Sequence, residues 1–295
     1  MSAPITTMNG LEGVVVADTR LSDVDGEAGR LTVAGHDVES LAGRTSFEEV
    51  CRILWRAGGA DPSRLDGLGE RLGQARIEAA ELLPALDGAL SRTDGMEALR
   101  GCLAQVTSSG DALEDAIRVT GAVATFAAAW ARRQRGIELV RPDPAGAHTA
   151  DYLRMIRGGA PDDRFTHALD AYLVTVADHG MNASTFAVRV VISTGSDFVS
   201  AVVAGIGALK GPLHGGAPGP VLDMLDAIGA PAQAVPWLER ELLSGRRIMG
   251  MGHRIYRVRD PRAAVLERAI EELERAGVRT GRLELARAVE RAAGE

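Results

Sequence analysis

From Phe47 onward, apolar residues recur mostly at intervals of three and four, the spacing that puts them on one face of a helix. Ser46-Phe47-Glu48-Glu49 opens the first such run as a capping box: a serine N-cap and a glutamate three positions on satisfy orphan backbone donors. Phe47, Val50 and Leu54 carry the stripe forward. Breaks fall at Gly58-Gly59, Gly158-Gly159-Ala160-Pro161 and Gly229-Ala230-Pro231. Arg141-Pro142-Asp143-Pro144 reads as a loop, because proline lacks the helix donor and biases the preceding residue away from helical geometry. The first forty residues differ. Val14-Val15-Val16 and Leu31-Thr32-Val33 are short β-type runs either side of the turn-forming Asp25-Gly26, so a hairpin over about residues 11–35 is expected ahead of a mainly α-helical chain.

Composition narrows the classes. With 295 residues and 46% hydrophobic content, the chain can bury a substantial core. A net charge of −7 gives no global electrostatic case for nucleic acid or an anionic membrane. No apolar run reaches the ~18 residues of a membrane span, and the start lacks a basic segment leading into an apolar core, so a cytoplasmic location is expected. Cys51 and Cys102 stand apart outside any Cys-x-x-Cys pattern, against a disulfide framework or a zinc site. Cys51 follows Phe47 by four and precedes Leu54 by three, the place of a small buried hydrophobe. Lys210 is the only lysine among arginine-rich basic residues, and no role follows from that alone.

Three of the six histidines lie beside glycine, in Asp178-His179-Gly180-Met181-Asn182, in Lys210-Gly211-Pro212-Leu213-His214-Gly215-Gly216, and in Gly250-Met251-Gly252-His253-Arg254. Glycine lets a ligand approach the main chain closely. None has a histidine or cysteine at i+4 and no HExxH pattern occurs, so imidazoles acting as neutral donors or acids fit better than a metal site. Arg246, Arg247, Arg254, Arg257, Arg259 and Arg262 crowd the third motif. Guanidinium forks suit carboxylates and phosphates, and Tyr256 is the one aromatic among them, too few for a single-strand nucleic-acid platform. A solvated arginine face remains the plain alternative. No Gly-x-Ser-x-Gly elbow, Walker loop or dinucleotide fingerprint is present.

These motifs together resemble the citrate synthase family. DHGMNASTFAVRVV (178–191) resembles its oxaloacetate-side histidine motif, IGALKGPLHGGAPGPVLDML (206–225) its most recognisable signature, and RIMGMGHRIYRVRDPRAAVL (247–266) its third. The opening GLEGVVVADTRLSDVDGEAGRLTVAGHDV also resembles the family's N-terminal region, so the match runs in order through nearly the whole chain. The resemblance implies a mainly α-helical homodimer with a large helical domain over 1–210 and a small domain over 211–295. It also implies a condensation of acetyl-CoA with oxaloacetate. A carboxylate takes a proton from the acetyl methyl, the enol attacks the ketone, and the thioester is hydrolysed; CoA is substrate and product, with no permanently bound cofactor. By the same resemblance His214 donates to the thioester oxygen and His253 to the ketone oxygen, while His179 and Arg262 hold oxaloacetate. Ile248, Met249, Gly250, Met251, Gly252 and Arg257 contact CoA.

One family feature is not recognisable. The family's base is an aspartate beyond the third motif, followed by helices that return to the large domain. Here the chain runs on through AAVLERAIEELERAGVRTGRLELARAVERAAGE. Leu266, Ile270 and Leu273 form a stripe, Arg268–Glu272 and Glu271–Arg275 are expected surface pairs, and nothing in the spacing places Glu284 or Glu290 at the site. The helix from Leu283 to Ala293 is expected to need a later partner. Three functions follow: citrate synthase; 2-methylcitrate synthase using propionyl-CoA; or a non-catalytic CoA-binding subunit paired with a complete paralogue or a separate C-terminal piece.

Overall fold

Alternation at Leu31 and Val33 points both side chains to one side of a strand, where each is 1% exposed. That strand, β2 (Arg30–Val33), is the centre of a three-stranded antiparallel sheet with β1 (Ser22–Asp25) and β3 (His36–Asp37), Ser22 facing Val33 and Thr32 facing Asp37. The expected hairpin is therefore present with its first strand moved. Val15 lies outside any strand and is 85% exposed, whereas Ser22–Asp25 leads into a turn in which Asp25 Oδ1 accepts from the Glu27 and Ala28 N–H groups, and β2 returns antiparallel beside it. The structure is a computed structural model and describes residues 15–212, 214, 215, 218–246, 248–251, 255–278 and 281–294.

Helices joined by turns and loops make up the rest. In chain order they are α1 (Val38–Leu41), α2 (Phe47–Ala57), α3 (Leu68–Leu82), α4 (Asp87–Leu90), α5 (Gly95–Leu103), α6 (Ala112–Gln134), α7 (His148–Arg157), α8 (Asp163–Thr175), α9 (Ala183–Ser193), α10 (Phe198–Leu209), α11 (Pro218–Ile228), α12 (Ala234–Leu243), α13 (Pro261–Arg275) and α14 (Gly281–Gly294). Of the expected capping box at α2, the serine half forms. Ser46 Oγ accepts from Glu49 N at 3.3 Å, while the Glu49 carboxylate turns to Arg52 Nε at 3.0 Å. Each glycine break ends a helix: α2 at Gly58, α7 at Gly158 and α11 at Gly229. The 141–144 segment is a loop.

Two cores matter for the site. One joins Leu31, Val33 and Val38 to Val50 of α2, Ala171 and Val174 of α8, and Val265 and Ala269 of α13, so α13 lies against the N-terminal elements. The deepest contacts of α13 thus come from Val265 and Ala269, with Leu266, Ile270 and Leu273 less deeply placed beside them. The other core joins Met224, Leu225 and Ile228 of α11 to Ala234 and Leu238 of α12 and to Leu285 and Val289 of α14. The apolar side of the last helix therefore has its partner within the chain, contrary to the expectation of a later one: α11 and α12 precede it and cover it. The surface pairing expected along α13 is also different, since Glu272 faces His167 Nε2 at 3.6 Å across to α8, and Glu274 takes Arg287 of α14 at 2.8 Å.

Between α3 and α7 sits a buried polar knot. Arg76, fully buried, reaches Asp151 Oδ2 through Nε at 2.7 Å and donates to the carbonyls of Asp143 (3.0 Å) and Gly146 (2.7 Å), fastening the 141–147 loop. Its Nη1 lies 3.1 Å from His148 Nδ1. Burial, with Arg76 beside it, lowers the His148 pKa to about 3, so the ring stays neutral. Cys51 and Cys102 are buried free thiols, pushed up to about 12 and about 11 by desolvation.

Candidate active site

Asn182 ends an extended stretch and caps α9: its Oδ1 accepts from Thr185 N at 3.0 Å, and the hydroxyls of Ser184 and Thr185 lie 2.8 and 3.1 Å from the same oxygen. That cap fixes the loop 178–184. The loop's other end is tied to β1, where Ser22 Oγ donates to Asp178 and accepts from Gly180 N at 2.7 Å. Two of the sequence-predicted histidines meet this loop. His179 belongs to it, and its Nε2 lies 3.1 Å from the Tyr256 hydroxyl with the two rings edge to face at 5.7 Å. His214 comes from the turn after α10, which is closed by Gly215 N donating to Leu209 O and His214 N to Gly211 O, both at 2.9 Å. Its Nε2 lies 3.0 Å from Ser184 Oγ.

The structure thus brings His179, His214, Ser184 and Tyr256 to a single loop. His253 and Gly252 lie outside the described residues. Neither Tyr256 nor Ser184 stands out in the sequence as a site residue, and spacing offers no signal, because their partners are 77 and 30 positions away.

The arginine cluster is more neutralised than the sequence suggests. Arg246 is held by Glu241, its Nη2 at 2.8 Å from Oε1, and Arg259 pairs with Glu267. Arg262 is bound by Asp260, which accepts from Arg262 Nε at 3.0 Å and Nη2 at 2.6 Å and also caps α13 through Arg262 N. Arg257 is exposed, and no ion pair engages it among the described residues; its backbone N–H donates to Gly26 O at 2.9 Å. Arg247 and Arg254 lie outside the described residues. Ahead of this segment, Ile248 packs against the α11–α12–α14 core, while Met249, Gly250 and Met251 are exposed in a turn. Gly250 has φ +82°, a conformation that side-chain-bearing residues rarely take, and Val221 Cγ2 lies 3.3 Å from where its Cβ would be.

Carboxylates near the loop are committed elsewhere: Asp178 to Ser22 and Gly180, Asp260 to Arg262. Glu284 and Glu290 are exposed on α14, Glu290 lying 3.8 Å from Arg259. Lys210 is no part of the site. Its ammonium pairs with Glu97 and lies 3.9 Å from Asp94, at the N-terminus of α5. Among the described residues no group of three or more His, Cys, Asp or Glu is placed to hold a metal ion, and no helix is long and apolar enough to cross a membrane.

The family model described as "Citrate synthase, C-terminal domain" matches residues 10–295. The chain belongs to the citrate synthase family. It is 37% identical over 300 residues to the citrate synthase of Haloferax volcanii, spanning 97% of this chain and 79% of that protein. It is also 37% identical, over 271 residues, to the 2-methylcitrate synthase of Mycobacterium tuberculosis, spanning 90% and 69%. Citrate synthase from Thermotoga maritima superposes with a TM-score of 0.82 at 33% identity, covering 96% of this chain and 77% of that one. The Thermoplasma acidophilum enzyme, solved as a ternary complex with carboxymethyl coenzyme A and oxaloacetate, gives a TM-score of 0.81 at 26% identity, covering 94% and 76%. The mainly helical architecture is therefore that of citrate synthase, and these relatives are condensing enzymes of the acyltransferase type. Two-thirds or more of each relative is represented in this citrate synthase-family chain, and each relative is longer.

Proposed function

We propose that this protein binds oxaloacetate and a CoA thioester and carries the proton-donating half of a citrate-type condensation. The observation that supports it most is the convergence of His179 and His214 on the Asn182-capped loop, in a chain whose Thermoplasma neighbour was solved with a CoA analogue and oxaloacetate. His214 is assigned to the thioester oxygen. When Ser184 turns its proton to Nε2, Asn182 Oδ1 still keeps both Thr185 donors, and His214 presents Nδ1–H to an oxygen that becomes enolic. His253 is assigned, by resemblance, to the ketone oxygen. His179 and Arg262 take the dicarboxylate; with Nε and Nη2 held by Asp260, Nη1 is the nitrogen left to face it. Arg257 and the 248–252 backbone take CoA. The base is not assigned to any described carboxylate.

The deciding experiment mixes the chain with acetyl-CoA and oxaloacetate and follows free thiol. Turnover abolished by His214→Ala supports a self-sufficient enzyme. Saturable CoA binding without turnover, weakened by Arg257→Ala, supports the subunit reading, and absence of both sinks the proposal. The equal identity to a 2-methylcitrate synthase supports testing propionyl-CoA in the same assay, since one extra methylene is worth only about 1–3 kcal/mol in a pocket.

A homodimer is proposed on α9. Its sequence ASTFAVRVVIS is largely apolar, yet none of its residues is buried, and Val190 and Ile192 are 47% and 41% exposed. A second copy would cover that face, and sedimentation of Val190→Arg should then report a lighter species than the parent chain. A cytoplasmic setting accords with two reduced, buried thiols.

A further inference from the structure

We propose that Tyr256 is a positioning residue for His179, presented to that imidazole by the turn of the N-terminal hairpin. The inference rests on the reading that His179 takes the dicarboxylate, and it adds a residue and a supporting element that the motif assignments leave out.

Both flanks of Tyr256 are pinned by a single residue. Gly26, in the turn between β1 and β2, accepts from Arg257 N at 2.9 Å, and a Cβ placed on Gly26 would lie 2.3 Å from the Ile255 carbonyl oxygen. The backbones touch only because Gly26 has no side chain. Three residues later, Gly29 lies under Val258, whose Cγ2 would be 2.5 Å from a Cβ there. Between these supports Tyr256 is 4% exposed, with its hydroxyl 3.1 Å from His179 Nε2 and its ring at 71° to the imidazole.

The same hairpin braces the other partner. Ser22 of β1 accepts from Gly180 N, next to His179. β1 and the turn after it therefore hold the two loops in one frame, although 77 positions separate the two rings.

An imidazole turns about χ2 between two orientations of similar energy, and a hydrogen bond to one ring nitrogen selects between them. The phenol supplies that bond from a fixed position. Burial, reinforced by Asp260 and offset by Arg262, holds the Tyr256 pKa above its ordinary value, so the hydroxyl stays protonated throughout the physiological range. Phenylalanine would keep the edge-to-face packing and remove only the oxygen.

The test uses the full chain and its Tyr256→Phe variant. Ring-nitrogen NMR resonances of His179, assigned with His179→Gln, are compared in the two proteins, and oxaloacetate and CoA affinities are measured by calorimetry. Loss of one hydrogen bond should weaken oxaloacetate about 3- to 10-fold, with the His179 resonances displaced. CoA affinity should stay within about twofold, because Arg257 keeps its backbone support. Unmoved His179 resonances overturn the proposal. So does unchanged oxaloacetate affinity in a variant whose parent binds it. If the parent itself binds no oxaloacetate, the functional reading falls, while the resonance comparison still reports whether Tyr256 orients His179. A parallel thermal melt separates these outcomes from misfolding.

Discussion

Replacing Gly26 with alanine should cost this protein more than any ordinary turn substitution. The new methyl would meet the Ile255 carbonyl at 2.3 Å for oxygen and 2.9 Å for carbon, where ordinary contacts lie at 3.4–4 Å. The turn and the 255–257 stretch of chain must then part by about 1 Å, and the neighbour that has to yield is backbone, not a flexible side-chain end. Overpacking of this kind costs about 1–3 kcal/mol. The same displacement stretches the 2.9 Å bond from Arg257 N to Gly26 O beyond useful length, a further loss of about 1 kcal/mol. Together the expected destabilisation is about 2–4 kcal/mol, read as a lowered urea midpoint at constant slope. Gly69→Ala is the control. Gly69 is exposed in the first turn of α3, and a methyl there would find nothing within 4 Å, so alanine should leave stability level or raise it by roughly 0.5 kcal/mol. Equal midpoints for the two variants would refute the claim that the hairpin turn and the Tyr256 segment are in obligatory contact. On the proposed assignment of Arg257 to CoA and His179 to oxaloacetate, Gly26→Ala should also weaken both ligands, whereas Tyr256→Phe should weaken oxaloacetate alone.

Three further outcomes follow from buried groups. Arg76→Met leaves Asp151 buried with only Arg154 as counter-charge, so unfolding free energy should fall by about 3 kcal/mol, the low end for a broken buried pair, in denaturant titrations. His148 refuses a proton down to about pH 3 when folded but accepts one near 6.5 when unfolded, so its contribution to stability is lost on acidification below about 6.5. The slope is about 1.4 kcal/mol per pH unit, or about 2 kcal/mol by pH 5, and His148→Gln should flatten it; a parallel pH profile in that variant would count against the neutral ring. Cys51 and Cys102 should resist a disulfide-exchange reagent in the native state and both react in denaturant, since burial raises both thiols to about 11 or above; rapid native labelling of either would contradict their packing.

Local chemistry was legible in the sequence and long-range pairing was not. The Ser46 cap, the helix ends at Gly58, Gly158 and Gly229, and the inward pair Leu31 and Val33 all rest on periods or φ preferences contained within a few residues. β1 is hidden in the sequence because Ser22–Asp25 carries one apolar residue, Val24, and is a strand by virtue of the turn that folds it on β2, whereas the more apolar Val15 stays outside. The fate of Leu285 and Val289 depends on α11 and α12, some fifty positions back, which no period reports. Lys210 likewise reads as solitary in the sequence, yet its surroundings are Glu97 and Asp94, brought up by the packing of α10 on α5. The motifs mark where chemistry would gather, but their mutual contacts, Ser184 with His214 and Tyr256 with His179, are properties of the fold.

Those contacts also change how the site is expected to hold its anions. In the sequence, six arginines near the third motif offer guanidinium forks suited to carboxylates and phosphates, with nothing to show which of them are already paired. In the structure, Arg262 is bound by the aspartate that caps its own helix, so the pair it forms with Asp260 carries no net charge and the guanidinium is fixed in direction. A fixed fork loses less conformational entropy when a carboxylate arrives, but the attraction it exerts at long range is cancelled by its partner. On the proposed assignment, the dicarboxylate end therefore depends on oriented donors: Arg262 set by Asp260, and His179 set by Tyr256. Arg257 differs. It is exposed, with no carboxylate engaged among the described residues, and it stands on the hairpin turn through its backbone alone. Long-range, salt-screened attraction should thus be concentrated at the CoA end, while selectivity for oxaloacetate rests on the geometry that Ser22 and Gly26 impose from behind.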